Sequence, residues 1–365
     1  MIKLKAIKYR IYPNKTQTEL LNKTFGCVRK IWNEYVAVFN SHDKITNPNP
    51  KYNSVKELKE KYKFLKEVPY NALEQKVMDF NQFKNQYFNP KRKTKLGRPN
   101  FKGRNNHQSF RLSSNGFKIH GDKLYLAKIG EVILSGSKNL SQISNVRNVT
   151  ISKTPDGKMY ASVLSGEVVN PLPQTGNQIG IDLGLIDLVA DSQGNKIKNP
   201  KFLEREHDKI KKLHQVLSRK KKGSKRRNKT RIKLARRYQK IKNQRNWYSH
   251  QISTDLVRKY DLICCEDLNI SGMLANHRLA KSISSASWYS LIEKLRYKCD
   301  WYGKTFYQIG TFFPSSKTCS SCGVKTSDMN LGIRSWTCSS CYTVHDRDIN
   351  AAKNILAEGK RLTGL

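Results

Sequence analysis

The chain has 365 residues, and its 69 lysines and arginines against 28 aspartates and glutamates give a formal net charge of +41 at pH 7. This charge exceeds what solubility requires and predicts a polyanionic partner, of which nucleic acid is the commonest. No stretch is apolar enough to cross a bilayer and residues 1–10 do not resemble a secretory leader, so we expect no membrane partner and a cytoplasmic, nucleoid-associated protein.

The first half of the chain predicts a small β-structure that contains inserted helices. Lys3 to Tyr12 alternates like a strand, and Asn14 to Phe39 has apolar residues at helical spacing. Helical patterning resumes from Val55 to Phe88, and an irregular basic loop follows from Lys91 to Arg104. Short strands separated by turn sequences then occupy Gln108 to Val168. This order predicts a small β-barrel or sheet into which the early helices are inserted.

The middle of the chain begins with a linker and continues into a long basic segment. Val169 to Gln174 contains two prolines and predicts a domain boundary near residue 175. Gln178 to Val189 is a strongly β-prone element. Lys209 to Arg245 then carries a dense run of Lys and Arg without one Asp or Glu, which predicts two long basic helices. A solvated surface normally mixes both signs of charge, so this segment favours binding to phosphates.

Strands and a helix alternate beyond the basic segment. Asp261 to Glu266 predicts a short apolar strand, Ser287 to Tyr302 an amphipathic helix, and Lys304 to Gly310 another strand. A cysteine-rich module and a final helix follow. We therefore predict a mixed α/β domain with one layered sheet, in a multidomain α/β protein.

Two CxxC pairs form the most specific local motif. Fifteen residues separate Cys319 and Cys322 from Cys338 and Cys341, which is the spacing of a four-cysteine zinc ribbon. Four thiolates fill a tetrahedral ion, so we predict one structural Zn²⁺ and no open coordination position. His345 could replace a ligand, but Cys341 already occupies the fourth position. Unliganded core cysteines are the alternative interpretation.

Three acidic residues stand in apolar surroundings, where a carboxylate costs desolvation energy. Asp182 lies in a β-prone strand, Glu266 ends another strand, and Asp348 begins a helix on the face of Ala351, Ala352 and Ile355. Taken singly, they could be a turn residue, a strand-end charge and a helix cap. Together, in a nucleic-acid binder, they predict phosphodiester hydrolysis with two Mg²⁺ ions held by carboxylates. Asp346 is turned away from the helix face that Asp348 occupies.

Several motifs resemble the TnpB family of transposon-encoded relatives of type V CRISPR effector nucleases. They are the segments 180–184 (GIDLG), 265–270 (CEDLNI), 346–355 (DRDINAAKNI) and the two CxxC pairs, with further likeness at 5–14, 97–104 and 109–112. The resemblance implies an RNase H-like fold of the RuvC type whose metal-binding acids are Asp182, Glu266 and Asp348. It also implies a guide RNA derived from the transposon end, and target double-stranded DNA next to a short flanking motif.

The resemblance also gives the predicted segments their domain names. A wedge-like β-barrel would comprise residues 1–12 and 108–170, and a helical recognition domain would comprise residues 13–107. The RuvC-like nuclease domain would span residues 175–365, with a basic helical insertion at 201–258 and the zinc ribbon at 314–345. We favour a monomer.

Nucleic-acid contacts can be proposed in three places. The basic helices could cover a guide–target duplex through its backbone, as RNA-guided nucleases do. Asn71 and Gln75 lie one helical turn apart and could read base edges, although solvated polar residues are the simpler interpretation. The candidate contacts, including two in the basic loop, are Arg226, Arg227, Arg236, Arg237, Lys102, Arg104, Asn71 and Gln75.

Two other functions stay open from the sequence. A nuclease-inactive repressor that binds RNA or DNA would be expected to have lost one of the three acids, and all three are present. A transposase that joins strands could use the same kind of acidic triad. Product chemistry distinguishes it, because strand joining requires transposon ends and no guide.

Overall fold

The computed structural model describes residues 2–41, 50–92, 94–135, 143, 145–326, 330 and 332–364. Lys93, in the predicted basic loop, lies outside the described residues. The chain forms two compact units, Met1–Val168 and Val169–Leu365. Every helix within the described ranges is too short or too polar to traverse a lipid bilayer.

The first unit is built on a seven-stranded antiparallel sheet with the strand order β2-β6-β7-β1-β5-β4-β3. The strands are β1 (Ile2–Tyr12), β2 (Gln108–Ser113), β3 (Phe117–His120), β4 (Lys123–Leu126), β5 (Gly130–Ser135), β6 (Val146–Lys153) and β7 (Met159–Val168). The edge strands β2 and β3 are consecutive in the chain and are joined by the short turn Ser114–Gly116. Because this turn keeps the two edges together, the sheet is nearly a barrel.

Three helices lie between β1 and β2, as the sequence predicts: α1 (Lys15–Asn40), α2 (Val55–Lys61) and α3 (Tyr70–Tyr87). Asn14 and Gln17 form a capping box at the start of α1, which satisfies two otherwise unpaired backbone amides. The helical pattern predicted over Val55 to Phe88 is interrupted by a 3₁₀ turn at Lys63–Glu67, and α3 begins directly after Pro69. Proline fixes the backbone for a helix start but cannot continue a helix.

The second unit contains a mixed five-stranded sheet with the order β10-β9-β8-β11-β12. Its strands are β8 (Gln178–Asp182), β9 (Asp187–Asp191), β10 (Lys196–Lys198), β11 (Leu262–Glu266) and β12 (Thr305–Ile309). Strands β8, β9 and β10 pair antiparallel, whereas β8, β11 and β12 are parallel. The single element predicted over Gln178 to Val189 is therefore wrong. The chain turns at Gly184, where an added Cβ would lie 2.6 Å from the Asp187 carbonyl oxygen.

Helices cover both faces of this sheet. The helices and the short hairpin strands are α4 (Phe202–Arg205), α5 (His207–Ser218), α6 (Lys225–Lys259), α7 (Ile270–Met273), α8 (His277–Ala286), α9 (Trp288–Tyr302), β13 (Ser335–Thr337), β14 (Val344–Asp346) and α10 (Arg347–Thr363). Ile181 and Cys265 belong to a core that includes residues of α6 and α9. Cys264 and Ile309 pack with Ile355 of α10 on the other side.

The predicted basic helices are present as α5, of 12 residues, and α6, of 35 residues. Ile210 of α5 and Leu234 and Ile241 of α6 form a small buried cluster that joins them. Further along, Ile252 and Leu256 of α6 enter the main core of the unit. One face of α6 is thus apolar and docked, and its remaining surface presents lysines and arginines to solvent.

Candidate active site and metal centre

The register of β8 and β11 brings two of the predicted acids together. These strands are parallel neighbours, and Cys265 pairs with Ile181. The next residue of each strand, Glu266 and Asp182, therefore lies at the same carboxyl edge of the sheet, and both side chains face the same side. The break at Gly184 is essential here, because it makes Asp182 the last residue of its strand.

Helix α10 covers the face on which these acids lie, and two glycines permit its close approach. A Cβ added at Gly180 would overlap the carbonyl oxygen of Ala352 and would lie 2.7 Å from the Leu356 amide nitrogen. At the other end of the helix, a Cβ at Gly359 would collide with the Cys264 side chain. In the segment 180–184, Gly180 thus permits the contact with α10, and Gly184 permits the turn after β8.

The third acid, Asp348, lies in the first turn of α10. Asp346 caps the helix, and its Oδ1 accepts hydrogen bonds of 3.1 Å from the backbone amides of Asp348 and Ile349. The Asp348 carboxylate lies 3.4 Å from Nη1 of Arg334 and 4.0 Å from Nζ of Lys196. Asp346 thus caps α10, whereas the role predicted for Asp348 in the acidic site stays a prediction.

Asp182 interacts electrostatically with each of the other two acids. Burial, and then the charge of Asp348, raises the pKa of Asp182 to about 6. Burial, and then the charge of Asp182, raises the pKa of Glu266 to about 7, against a hydrogen bond with Ser315 that lowers it. Asp182 is therefore close enough to interact with both other acids. Such raised values are typical of functional sites.

The four cysteines of the two CxxC pairs converge. Their sulfur atoms all lie within 4.8 Å of one another, with 3.6 Å between Cys319 and Cys341 and the same distance between Cys322 and Cys338. Within the part of the chain that the structure describes, this is the one group of three or more His, Cys, Asp or Glu placed to hold a single ion. The three acids are more widely spaced than the ligands of one ion.

Each CxxC pair forms a backbone-bonded knuckle. In the first, the Cys319 amide donates to the Val324 carbonyl and the Gly323 amide donates to the Cys319 carbonyl, both at 2.9 Å. In the second, Cys338 forms the corresponding bonds of 3.0 Å with Thr343 and Tyr342. Gly323 has φ +79° and Tyr342 has φ +57°, so the second knuckle places a tyrosine where the first places glycine.

Polar side chains attach the cysteine module to α10. Oδ1 of Asn350 accepts from the Ser320 amide at 2.8 Å, and Nδ2 of Asn354 donates to the carbonyls of Ser315 and Thr318. His345 is buried, with Nε2 3.0 Å from the Cys319 sulfur, but it does not belong to the ligand group. The helix that carries Asp348 thus also holds the first knuckle.

The arginines predicted to contact nucleic acid differ in their surroundings. Arg226 and Arg236 are exposed on α6. Arg227 is partly buried, and Arg237 forms a 3.3 Å ion pair with Glu206, which is itself buried. Arg226 and Arg236 are therefore the members of the set that present their charge to solvent.

The candidates in the first unit are mostly engaged within it. Nζ of Lys102 lies 3.8 Å above the Trp32 ring, and burial lowers the pKa of this lysine, whereas Arg104 is exposed. The Asn71 amide exchanges two hydrogen bonds with Ser113, at 2.7 and 2.9 Å. Gln75 is buried, so neither amide is the solvated group that the simpler interpretation assumed.

Several site residues were not found from the sequence. They are the residues that bond to the acids or to the cysteine module: Lys196, Ser315, Arg334, Asn350 and Asn354. Only the asparagines left a signal, because two amides one helical turn apart on the apolar face of a helix require partners. Lys196 and Arg334 are ordinary basic residues in a very basic sequence.

Three family models match the chain. Residues 158–277 match one described as "Probable transposase", and residues 288–355 match one described as "Cas12f1-like, TNB domain". Residues 1–40 match a "Helix-turn-helix domain". In the structure these forty residues form β1 and α1 instead of two helices.

Related proteins extend over nearly the whole chain. A protein of Streptomyces pristinaespiralis described as "Putative RNA-guided DNA endonuclease" is 36% identical over 363 residues, which is 97% of this chain and 89% of the relative. A protein of Escherichia coli K12 described as "Putative RNA-guided DNA endonuclease InsQ" is 26% identical and is covered to 93%. "TnpB-like protein L79" of Acanthamoeba polyphaga mimivirus is 28% identical over 243 residues, which is 62% of this chain and 45% of the relative.

Among solved structures, a Cas12f1 chain from a complex with single-guide RNA and target DNA has a similar fold. The match has a TM-score of 0.54 at 14% identity and covers 94% of this chain and 83% of that one. At this identity the likeness concerns the fold, which is therefore Cas12f-like in both units.

Proposed function

This chain belongs to the TnpB family, and from that premise we propose that it is a transposon-encoded, RNA-guided DNA endonuclease. The observation that carries the proposal is the placement of Asp182 and Glu266 at one sheet edge, with Asp348 in the first turn of α10, whose charge acts on Asp182. The nearly full-length relatives that carry this description support the choice of reaction. The +41 charge supports polyanionic partners.

We assign the five-stranded sheet and its helices to an RNase H-like domain of the RuvC type, over residues 175–365. The basic pair α5 and α6 is its insertion, at residues 201–258, and the cysteine module at 314–345 is its zinc ribbon. Residues 1–12 and 108–170 would be the wedge-like barrel, and residues 13–107 the recognition helices. The two separate cores support the boundary between the first and second units, and the element order supports the finer division.

The acids fit Mg²⁺ because they offer only carboxylate oxygens, which this hard cation prefers. Asp182 interacts with both partners, so Asp182, Glu266 and Asp348 would together hold the ions. When bound, the ions would lower the pKa of the attacking water and stabilise the leaving 3′ oxygen. The protein holds Glu266 through Ser315, and Arg334 beside Asp348 can contact a phosphate that enters the site.

The cysteine module fits one Zn²⁺. Four sulfurs within 4.8 Å of one another satisfy a tetrahedral ion completely, which favours a structural role. The asparagine contacts from α10 would then transmit the order of the module to the helix that carries Asp348.

The partners would be a guide RNA from the transposon end and double-stranded target DNA, bound by a monomer in the cytoplasm. The exposed cations of α5 and α6 supply a phosphate-binding surface, with Arg226 and Arg236 as its first candidates and Arg227 and Arg237 partly engaged elsewhere. In the first unit, exposed Arg104 is preferred over Lys102, Asn71 and Gln75, which would first have to leave their present contacts.

The test is to co-express the protein with the RNA transcribed beside its gene and to assay cleavage of a matching plasmid in Mg²⁺. Wild type should retain the RNA and cut, whereas Asp182→Ala and Glu266→Ala should retain the RNA and lose at least 1,000-fold of the rate, about 4 kcal/mol of transition-state stabilisation. Asp267→Ala is the matched control, because this exposed neighbour of Glu266 faces the other way.

The outcomes separate the other functions. An RNA-bound wild type that cannot cut would be the inactive repressor, and joined strands without a guide would indicate the transposase. Cleavage by Asp182→Ala, or the absence of a bound RNA, would refute the proposed function.

A further inference from the structure

The loop at residues 310–315, directly after β12, presents an aromatic ring to solvent. Phe312 is 97% exposed, whereas its neighbour Phe313 packs on the cluster that contains Cys264 and Ile309. Burying a phenylalanine side chain stabilises a fold, so an exposed ring forgoes that stabilisation. Phe313 thus contributes to the core of the second unit, whereas the exposed ring of Phe312 can contact a binding partner.

Both ends of this loop are fixed beside Glu266. Ile309, the last residue of β12, pairs with Glu266 and accepts a 3.1 Å hydrogen bond from the Asp267 amide. At the other end, Ser315 is buried, is hydrogen-bonded to Glu266, and accepts from Nδ2 of Asn354 at 2.8 Å. The loop is therefore a short, held segment at the rim of the acidic site.

These contacts limit how far Phe312 can be from the acids. Phe312 stands three positions after Ile309 and three positions before Ser315, and three extended residues span about 11 Å at most. Stacked nucleotides rise by about 3.4 Å each along one strand. The Phe312 backbone therefore lies within about 11 Å, or about three stacked nucleotides, of both Ile309 and Ser315, the two loop ends that contact Glu266. The loop also has open space, because a Cβ added at Gly310 would meet nothing within 4 Å.

We propose that Phe312 is a substrate-binding residue that stacks on a base of the DNA strand being cut, one to three nucleotides from the scissile phosphate. This inference rests on the proposed function. Stacking suits a guided enzyme, because every base has an aromatic face and the contact does not read sequence. It would hold a flexible single strand in register with the proposed metal site of Asp182 and Glu266, which would act only on the scissile phosphate.

Substitution tests this directly in the complex with guide RNA. Phe312→Ala and Phe312→Leu should reduce the cleavage rate by about 5-fold to 100-fold, the range that base–aromatic stacking supports, and Phe312→Tyr should stay within about 2-fold of wild type. Because the ring is exposed, melting temperatures should not change. Tyr289→Ala is the matched control, since this 66% exposed aromatic is on α9, which packs on the opposite face of the sheet.

Abasic substrates provide the sharper test. Single abasic sites are placed along the non-target strand near the cut, where no base pairs with the guide. Abasic sites at one to three adjacent positions should slow cleavage by wild type, and the same sites should not slow cleavage by Phe312→Ala any further.

The stacking proposal is overturned if Phe312→Ala cuts like wild type while Asp182→Ala is inactive. It also fails if the abasic losses add to that of Phe312→Ala, or if the variant alters only the sedimentation of the complex, which would indicate self-association. Cleavage by Asp182→Ala would refute the proposed function instead.

Discussion

The cysteine module and the acidic site are both proposed metal-ligand sets, but they are assembled in different ways. The four sulfurs come from two local turns whose backbone hydrogen bonds place the ligands within 4.8 Å of one another. The three acids come from two strands and a helix, and they are joined by register and by the docking of α10. They remain more widely spaced, with Arg334 and Lys196 near Asp348.

This difference indicates what each site is for. A structural ion is satisfied by its protein ligands alone, so the fold can bring those ligands together completely. A site that acts on a substrate must leave room for it, and it keeps carboxyl groups in a partly buried setting that opposes their ionisation. The comparison predicts that damage to the module will affect stability first, and that damage to the acids will affect activity first.

The largest expected effect follows removal of the proposed zinc ligand Cys338. Cys338→Ser should lose the bound zinc and unfold residues 315–345, because zinc binding to such modules contributes on the order of 10 kcal/mol of apparent free energy. Zinc content and limited proteolysis would measure this. Cys27→Ala, which removes a buried cysteine of the first unit, is the control and should keep its zinc. An unchanged zinc content in Cys338→Ser would contradict the assignment of the cysteine module as a zinc site.

A smaller but coupled effect is expected at the helix contact. Gly180→Ala should destabilise the second unit by about 1–3 kcal/mol, because the new methyl group would overlap the Ala352 carbonyl. It should also slow cleavage, since α10 must shift and take Asp348 with it. Thermal melting and cleavage rates measure both. Gly97→Ala, where the added group meets nothing within 4 Å, should be neutral. Equal behaviour of the two variants would contradict the tight packing.

A pH-dependent effect should distinguish the acids from the cysteines. The pKa of Glu266 is raised to about 7 by burial and then by Asp182, above the ordinary value of 4.5. The contribution of Glu266 to wild-type stability is therefore greatest below pH 4.5 and is lost as pH rises towards 7. Without Mg²⁺, Glu266→Gln should be more stable than wild type above pH 7, on the order of 1 kcal/mol after screening, and should lose that advantage near pH 4.5.

Melting curves at pH 4.5 and 8 would measure this difference. Added Mg²⁺ should make wild type more stable than Glu266→Gln at pH 8, because the ion stabilises the protein that keeps the carboxylate. An advantage of Glu266→Gln that did not depend on pH would contradict the assigned cause.

The smallest effect concerns the second knuckle. Tyr342 is 77% exposed and has φ +57°, which costs a residue with a Cβ about 1 kcal/mol. Tyr342→Gly should stabilise the knuckle by about 0.5–1 kcal/mol and slow the release of zinc to a chelator. Tyr342→Ala keeps the Cβ and should show no such gain. Faster zinc release from the glycine variant would indicate that the ring itself protects the ion.

The cysteine module was predictable because its information is local. Two CxxC spacings and a glycine after the first pair are enough to specify both knuckles, and the four sulfurs converge as expected. The convergence of Asp182 with Glu266 could not be read in the same way. It depends on a strand register between segments about eighty residues apart, and on the break at Gly184 that ends β8.

Helix-facing reasoning succeeded where one element sufficed. It placed Asp348, Ala351 and Ala352 on one face, and both alanines are fully buried against the sheet. Such reasoning could not identify Lys196 and Ser315, because they lie outside the helices and their contacts join segments that are remote in sequence. Asn71 shows the same limit, because its partner Ser113 comes from a strand forty-two residues away.

The position of α10 has a consequence for synthesis. A ribosome must complete β8, β11 and the cysteine module before it makes Asp348, and the helix can dock only when residues 347–363 have emerged. A nascent chain or a prematurely terminated product that ends before residue 347 would therefore carry the basic surface and two of the acids, but not a complete cutting site. The order in which the polypeptide is made therefore leaves such partial products without Asp348.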